Sequence, residues 1–70
     1  MQNYLIIIEK SKNGFGAYAP DVEGCVAVGK TVEETMKNMQ EALEFHIQSL
    51  IKDGLPVPEA VTQSAYAKVG

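Results

Sequence analysis

An apolar stripe with a capping signal at each end constrains the fold of this chain more than any other feature. Thr31 and Glu34 form a Thr-x-x-Glu capping box, in which each side chain is expected to accept a hydrogen bond from the other residue's backbone N–H. Gly54, followed by Leu55, is typical of a left-handed C-terminal cap of the Schellman type. Apolar residues recur between the caps at three- and four-residue steps: Val32, Met36, Met39, Leu43, Ile47 and Leu50. The pattern predicts one helix from about Val32 to Asp53.

Short segments with strand character lie on both sides of this helix. Tyr4 to Glu9 is apolar on both faces, which is typical of a strand in the middle of a sheet. Asn13-Gly14 is a hairpin signal because both residues tolerate positive φ, so Phe15 to Ala19 is the predicted returning strand. Cys25 to Val28 is a third strand, and Val61 to Val69 alternates in a way that predicts a fourth.

The predicted order is β-β-β-α-β in a single domain spanning residues 1–70. This is an α+β fold, with a mixed sheet and one long helix on one face of it. A right-handed crossover through the helix would place the last strand parallel to the first. Pro20 and Gly24 mark the connection before the third strand. Gly29 marks the predicted turn from that strand into the helix.

Size and cysteine content predict self-association. A chain of 70 residues has a small core, and a single cysteine, Cys25, excludes an internal disulfide. One helix also leaves the second apolar face of the first strand uncovered. We therefore predict a homodimer or a higher homo-oligomer.

The charge balance indicates which partners suit the chain. It has six Lys, no Arg and nine Asp plus Glu, for a net charge of −3. A duplex-binding domain needs a basic stripe to displace counterions from phosphates, so no direct contact with nucleic acid is predicted. An acidic surface instead favours a basic protein partner.

The N-terminus predicts neither a leader nor a membrane anchor. Leu5 to Ile8 is too short for a signal-peptide core or a bilayer span, and Glu9 follows it directly. With a single thiol, this favours a protein of the reducing cytoplasm that does not insert into a membrane.

One segment matches a nucleotide-binding pattern. Gly24 to Thr31 satisfies G-x-x-x-x-G-K-[ST], and a predicted helix follows it. In a P-loop a buried strand ends before the first glycine, whereas here a turn precedes Gly24 and Cys25 to Val28 is itself strand-like. The simpler interpretation is that Gly29 makes a turn and Thr31 caps the helix. Nucleotide binding is the remote alternative.

No set of side chains predicts a catalytic or metal centre. Asp21 and Glu23 share one loop, but two carboxylates without a third ligand are a poor cation site. His46 has no partner at a mechanistic spacing, and Cys25 is expected to be buried and inert. We therefore predict a protein that is not an enzyme and has no cofactor or bound metal.

Phe45 is the anomaly of the helix. It lies nearly opposite Met36 and Leu43 on a helical projection, so it faces solvent in a monomer. Two interpretations stay open: an isolated exposed aromatic, and an interface anchor.

Three blocks of sequence together resemble the HicB family of antitoxins. These are Tyr18 to Cys25, Gly29 to Glu34 and Asn38 to Leu43. The resemblance implies a truncated ribonuclease-H-like β-β-β-α-β domain without catalytic acids. It further implies a cytoplasmic role in neutralising HicA, a small basic mRNA-cleaving toxin.

The chain departs from the family at several points. Glu23 stands where proline is frequent, and Thr35 where alanine is usual. Many members continue into a DNA-binding segment, which is not expected after the last strand here, so DNA binding is not carried over.

The leading hypothesis is an antitoxin-type module that binds a HicA-like toxin directly. Its alternatives are an orphan oligomeric structural or regulatory domain and, remotely, a nucleotide-binding protein. The candidates for partner contact are Tyr18, Asp21, Glu23 and Phe45, and the residues expected to set the structural motif are Pro20, Gly24, Cys25, Gly29, Thr31, Glu34 and Gly54.

Overall fold

Three consecutive strands and one helix make up the regular structure of the described residues. The computed structural model, which describes residues 2–70, has strands β1 (Ile7–Ser11), β2 (Gly14–Tyr18) and β3 (Val26–Gly29), followed by helix α1 (Val32–Lys52). β2 is the central strand and pairs antiparallel with β1 and with β3. The predicted α+β class, the first three strands and the long helix are confirmed.

The first strand starts later than the sequence predicts, at Ile7 and not at Tyr4. Ile7 is paired with Tyr18, the last residue of β2. Beyond Tyr18 the chain turns away, with the N–H of Val22 donating to the carbonyl of Ala19 at 3.0 Å. Tyr4 to Ile6 therefore extend past the end of their neighbouring strand.

The first hairpin is in the predicted place, but its predicted mechanism is wrong. Ser11 pairs with Gly14, so the two turn residues are Lys12 and Asn13. Neither has a positive φ, and Gly14 opens β2 in an extended conformation. The turn therefore does not use the left-handed backbone that Asn-Gly favours.

Side chains and backbone cap the start of α1. Thr31 has φ −130° and ψ 164°, and its hydroxyl accepts a hydrogen bond from the N–H of Glu34 at 3.0 Å. The carboxylate of Glu34 accepts from the N–H of Lys30 at 2.9 Å, one residue earlier than expected. Thr31 is thus confirmed as the N-cap, while the reciprocal half of the capping box is shifted by one residue.

A Schellman motif ends α1. Gly54 has φ +70°, and its N–H donates to the carbonyl of Ile51 at 3.1 Å. The N–H of Leu55 donates to the carbonyl of Leu50 at 2.9 Å. These are the two bonds that define the motif, so the predicted C-terminus is confirmed, with Asp53 as C-cap.

The core lies between α1 and one face of the sheet. Met39 is fully buried on the helix and packs into a small cluster with Ala17, Ala19, Val22 and Cys25. Half-buried apolar side chains surround this cluster: Tyr4, Ile6, Ile8, Ala27, Ala42, Leu43 and Ile47. Val32, the first residue of the predicted stripe, is exposed and lies outside it.

The helix and β3 approach each other closely at Gly29. An added Cβ at Gly29 would lie 2.6 Å from the Oγ1 and 2.7 Å from the backbone N of Thr35. Thr35 is fully buried, and its hydroxyl donates to the carbonyl of Thr31 at 2.7 Å, so no polar atom is left unpaired. Gly29 therefore serves close packing of β3 against α1.

The predicted fourth strand is wrong within a single chain. Residues 55–70 contain neither helix nor strand, so the described sheet has three antiparallel strands and is not mixed. A strand requires a neighbouring backbone to bond to. The N–H groups of Val61 and Thr62 bond instead to the side chain of Asp21 at the end of the sheet.

Candidate functional site

The face of the sheet that points away from α1 is largely apolar and open. Because side chains alternate along a strand, the buried Ala17 places its neighbours on the opposite face. The register aligns Ile7, Tyr18 and Val26 in one row and Glu9, Gly16 and Val28 in the next. We call these six residues the outer sheet face. Val26 is 66% exposed and Val28 is 72% exposed, which makes this face a candidate contact surface.

Two of the four predicted contact residues belong to this surface or to its border. Tyr18 is 40% exposed and lies between Ile7 and Val26 in the register of the sheet. Glu23 is exposed in the loop that leads into β3, where it lines a shallow depression together with Tyr18 and Val26. The structure therefore brings Tyr18 and Glu23 together at one depression.

The third predicted residue, Asp21, is engaged within the chain. Its Oδ2 accepts hydrogen bonds from the N–H of Val61 at 3.0 Å and the N–H of Thr62 at 2.9 Å. Its Oδ1 accepts from the hydroxyl of Thr62 at 2.6 Å. The hydroxyl of Thr62, and next its N–H, hold the pKa of Asp21 below the ordinary value. The carboxylate thus anchors the C-terminal part of its own chain.

Two residues near the N-terminus complete this anchor. The amide of Gln2 donates to the carbonyl of Pro58 at 2.9 Å and accepts from the N–H of Ala60 at 2.6 Å. The hydroxyl of Tyr4 also donates to the carbonyl of Pro58, at 2.6 Å. With Asp21, these contacts fix residues 58–62, which we call the strap. Nothing in the sequence pattern around Gln2 or Tyr4 indicates these bonds.

The residues that follow the strap project into solvent. All of residues 63–70, which we call the tail, are exposed. Tyr66 is fully exposed and Val69 is 91% exposed. The tail therefore leaves apolar side chains exposed to solvent in a single copy of the chain.

The fourth predicted residue, Phe45, lies on the other layer of the molecule. It is 75% exposed on α1, among residues that do not face the sheet. The hydroxyl of Ser49 donates to its carbonyl at 2.9 Å, a bond that leaves the ring free. Phe45 and the outer sheet face are thus separate surfaces.

The described residues offer little for catalysis. Cys25 is 5% exposed, and burial raises the pKa of its thiol, which disfavours the nucleophilic thiolate. Within residues 2–70 no three His, Cys, Asp or Glu side chains lie close enough together to hold a metal ion. His46 is half-buried on α1.

The P-loop-like segment is a turn followed by a strand. Pro20 is exposed in the connection after β2, and Gly24 has φ +80° in the turn before β3. Val26–Gly29, where a P-loop would wrap a phosphate, pairs with β2 along its length. A strand in a sheet does not present consecutive N–H groups to one anion, so the geometry does not support phosphate binding here.

Across the part of the chain that the structure describes, no helix combines the length and the apolar character needed to cross a bilayer.

Comparison with known proteins identifies a family and several relatives with similar sequences. The model of a family described as HicB_like antitoxin of bacterial toxin-antitoxin system matches residues 4–69. A protein from the rep-hol intergenic region of Haemophilus phage HP1 is 40% identical over 57 residues, 81% of this chain and 43% of the phage protein. A UPF0150 protein of Synechocystis sp. is 41% identical over 58 residues, 81% of this chain and 73% of that protein.

Two solved structures share the fold at 38% sequence identity. A HicA3 and HicB3 toxin-antitoxin complex matches with a TM-score of 0.73, over 86% of this chain and 70% of the matched chain. The antitoxin HicB3 alone matches with a TM-score of 0.71, over 86% of this chain and 44% of its own. The chain therefore spans less than half of the phage protein and of that HicB3 chain.

Proposed function

Because the chain belongs to the HicB-like antitoxin family of bacterial toxin-antitoxin systems, we propose that it neutralises a small basic toxin of the HicA kind by binding it directly. The family assignment gives the antitoxin role, and the likeness to a chain of a HicA3–HicB3 complex supports a toxin as the partner. Direct masking of an RNA-cleaving surface is the mechanism that we infer from this role.

The observation that carries the proposal is the open outer sheet face. Val26 and Val28 expose their apolar side chains to solvent on β3, and Val26 is the cross-strand neighbour of Tyr18. Exposed apolar side chains clustered around an aromatic residue are characteristic of binding surfaces in soluble proteins. A partner that covers this face gains apolar burial without requiring the sheet to rearrange.

Charge around this face suits a basic partner. Glu9 lies on the outer sheet face, two residues after Ile7 in β1 and in the same row as Val28. Glu23 lies at the border of this face, and both residues are exposed. The chain as a whole carries a net charge of −3 with no Arg. Electrostatic complementarity of this kind accelerates association with a basic protein and disfavours nucleic acid.

Binding of this kind involves no chemical step, so the proposed antitoxin is not an enzyme. It requires no cofactor, makes no direct contact with nucleic acid and acts in the cytoplasm, where an mRNA-cleaving toxin would act. We include self-association in the proposal, because few of the described side chains are fully buried, while Tyr66 and Val69 of the tail remain exposed.

The decisive experiment combines this chain with the product of the small basic reading frame beside its gene. Growth arrest by the neighbour alone, relieved by this chain in a complex that co-purifies, is the expected result. A harmless neighbour, or one that never co-purifies, would overturn the proposal in favour of an orphan oligomeric domain.

A pair of exposed substitutions tests the assigned surface. Val28→Lys places a like charge against a basic toxin and should abolish capture, because Val28 is at the outer sheet face. Ile51→Lys is the matched control, since Ile51 is 62% exposed on α1. Capture by the Val28→Lys chain as strong as that by wild type would show that the toxin binds elsewhere.

A further inference from the structure

β1 has the composition of a central strand but the position of an edge strand. It pairs with β2 on one side only, and no described residue pairs with its other edge. Tyr4 to Ile8 is an uninterrupted apolar run, which begins before β1 and continues into its first two residues. Proteins protect free edges with charges, proline or bulges, because an unpaired edge recruits another strand. This edge lacks such protection along its apolar half.

The tail has the opposite mismatch, a strand sequence without a neighbouring strand. Ala65, Ala67 and Val69 alternate with Ser64, Tyr66 and Lys68. Each of these residues is exposed, and none lies in a strand of the sheet. The eight tail residues reach roughly 26 Å when extended, enough to run the length of β1.

The strap directs the tail away from the β1 edge of its own chain. Pro58 is held beside the start of β1 by Gln2 and Tyr4. Thr62 is held by Asp21, in the connection that leads from β2 to β3. The strap therefore runs along the end of the sheet, from the start of β1 to the connection between β2 and β3. To pair with its own β1 edge, the tail would have to reverse its direction directly after Thr62.

We propose that the tail of one copy adds as a fourth strand to the free edge of β1 in a second copy, and that the second tail does the same in return. This inference rests on the self-association proposed above and identifies its contact. Each β1 becomes a central strand, and each tail gains backbone partners. The outer sheet face stays available to a toxin in such a dimer.

A substitution in the tail tests the exchange in the purified full chain. Ala67→Pro removes a backbone donor and disfavours strand pairing, while residue 67 is exposed and outside the sheet in a single copy. Ala67→Val is the matched control, because a β-branched residue favours a strand. Sedimentation equilibrium should give twice the chain mass of 7.6 kDa for wild type and Ala67→Val, and the single-chain mass for Ala67→Pro.

A cross-linking pair identifies the edge that receives the tail. In a Cys25→Ala background, Ala67→Cys with Glu9→Cys should give a covalent dimer with a short bismaleimide, since Glu9 is in β1. Ala67→Cys with Val28→Cys should give much less, because Val28 is in β3. A stronger cross-link to position 28 would overturn the assignment to β1.

The outcomes separate this inference from the proposals on which it rests. A wild-type chain that stays monomeric contradicts both self-association and exchange. A dimer that survives Ala67→Pro keeps self-association and rejects exchange. Toxin capture is measured independently of both, so an antitoxin that works as a monomer would leave the antitoxin proposal intact.

Discussion

The carboxylate of Asp21 holds Thr62 through both of its oxygens, from the backbone N–H at 2.9 Å and the hydroxyl at 2.6 Å. The two residues are 41 positions apart in the chain. One connecting loop thereby fixes the path of the strap and the direction in which the tail leaves the fold.

Removal of this carboxylate should free the strap without unfolding the domain. We expect Asp21→Ala to abolish the amide-exchange protection of Val61 and Thr62, because their acceptor is lost. The far-UV circular dichroism should not change, since α1 makes no contact through this group. Glu23→Ala is the control, an exposed carboxylate in the same loop, and equal loss of protection in that variant would contradict the assignment.

The anchor should depend on pH in the acidic range. Hydrogen bonds from Thr62 lower the pKa of Asp21 in the folded chain, so the ionised form is favoured by folding. The contribution of the ionised Asp21 carboxylate to stability is fully present above the ordinary pKa of 3.8, and it is lost as pH falls through the lowered pKa. Thr62→Val removes the hydroxyl bond, so it should move the midpoint of the Asp21 titration toward that ordinary value. The titration is followed through the amide shifts of residues 61 and 62, and an identical midpoint in both chains would count against the hydroxyl bond.

The close approach of β3 to α1 should make Gly29 intolerant of a side chain. Gly29→Ala places a methyl group against the backbone and hydroxyl of Thr35, and we expect a loss of about 1–3 kcal/mol in the free energy of unfolding. Gly16→Ala is the matched control, because the nearest atom to its added Cβ is 4.0 Å away. Urea titration measures both, and equal losses would show that the close approach is not the cause.

Phe45 should be dispensable for the fold and for toxin capture. At 75% exposure its truncation to alanine should change the free energy of unfolding by less than about 0.5 kcal/mol. Met39→Ala on the same helix should cost about 2–5 kcal/mol, because Met39 is fully buried. Loss of toxin capture by Phe45→Ala would move the proposed binding surface from the sheet to the helix.

Nucleotide should not stabilise the chain. The segment that resembles a P-loop is occupied by a turn and by β3, so millimolar Mg-ATP should leave the melting temperature unchanged. A ligand that binds only the native state must raise that temperature. A rise that disappears in Lys30→Ala would restore the nucleotide hypothesis.

Local signals explain which parts of the fold were predictable. Thr31 and Gly54 mark the ends of α1, and both caps involve residues a few positions away, which a sequence pattern can report. The alternation of Val61 to Val69 also indicates a strand, but it contains no information on which backbone will pair with it. For that reason the strand prediction does not hold within one chain.

The candidate site likewise combines residues from one sequence block with bonds between distant parts of the chain. Tyr18 and Glu23 follow from their position in one sequence block, and the structure places them beside each other. The bonds of Gln2 to Pro58 and of Asp21 to Thr62 join distant parts of the chain. A polar side chain has many possible partners at such separations, so tertiary structure is needed to choose among them.

The bond between Gln2 and Ala60 spans 58 of the 70 residues. The entropic cost of closing a loop rises with its length, so this bond is expensive to form early. The hairpin and α1 form from local contacts and therefore precede this bond in folding. The tail also follows the sheet and α1 in the sequence, so it leaves the ribosome after them. A newly made sheet is therefore complete, and its β1 edge open, before its own tail is placed. Neighbouring ribosomes on one messenger would then bring open edges and emerging tails together, which favours pairing between chains as they are synthesised.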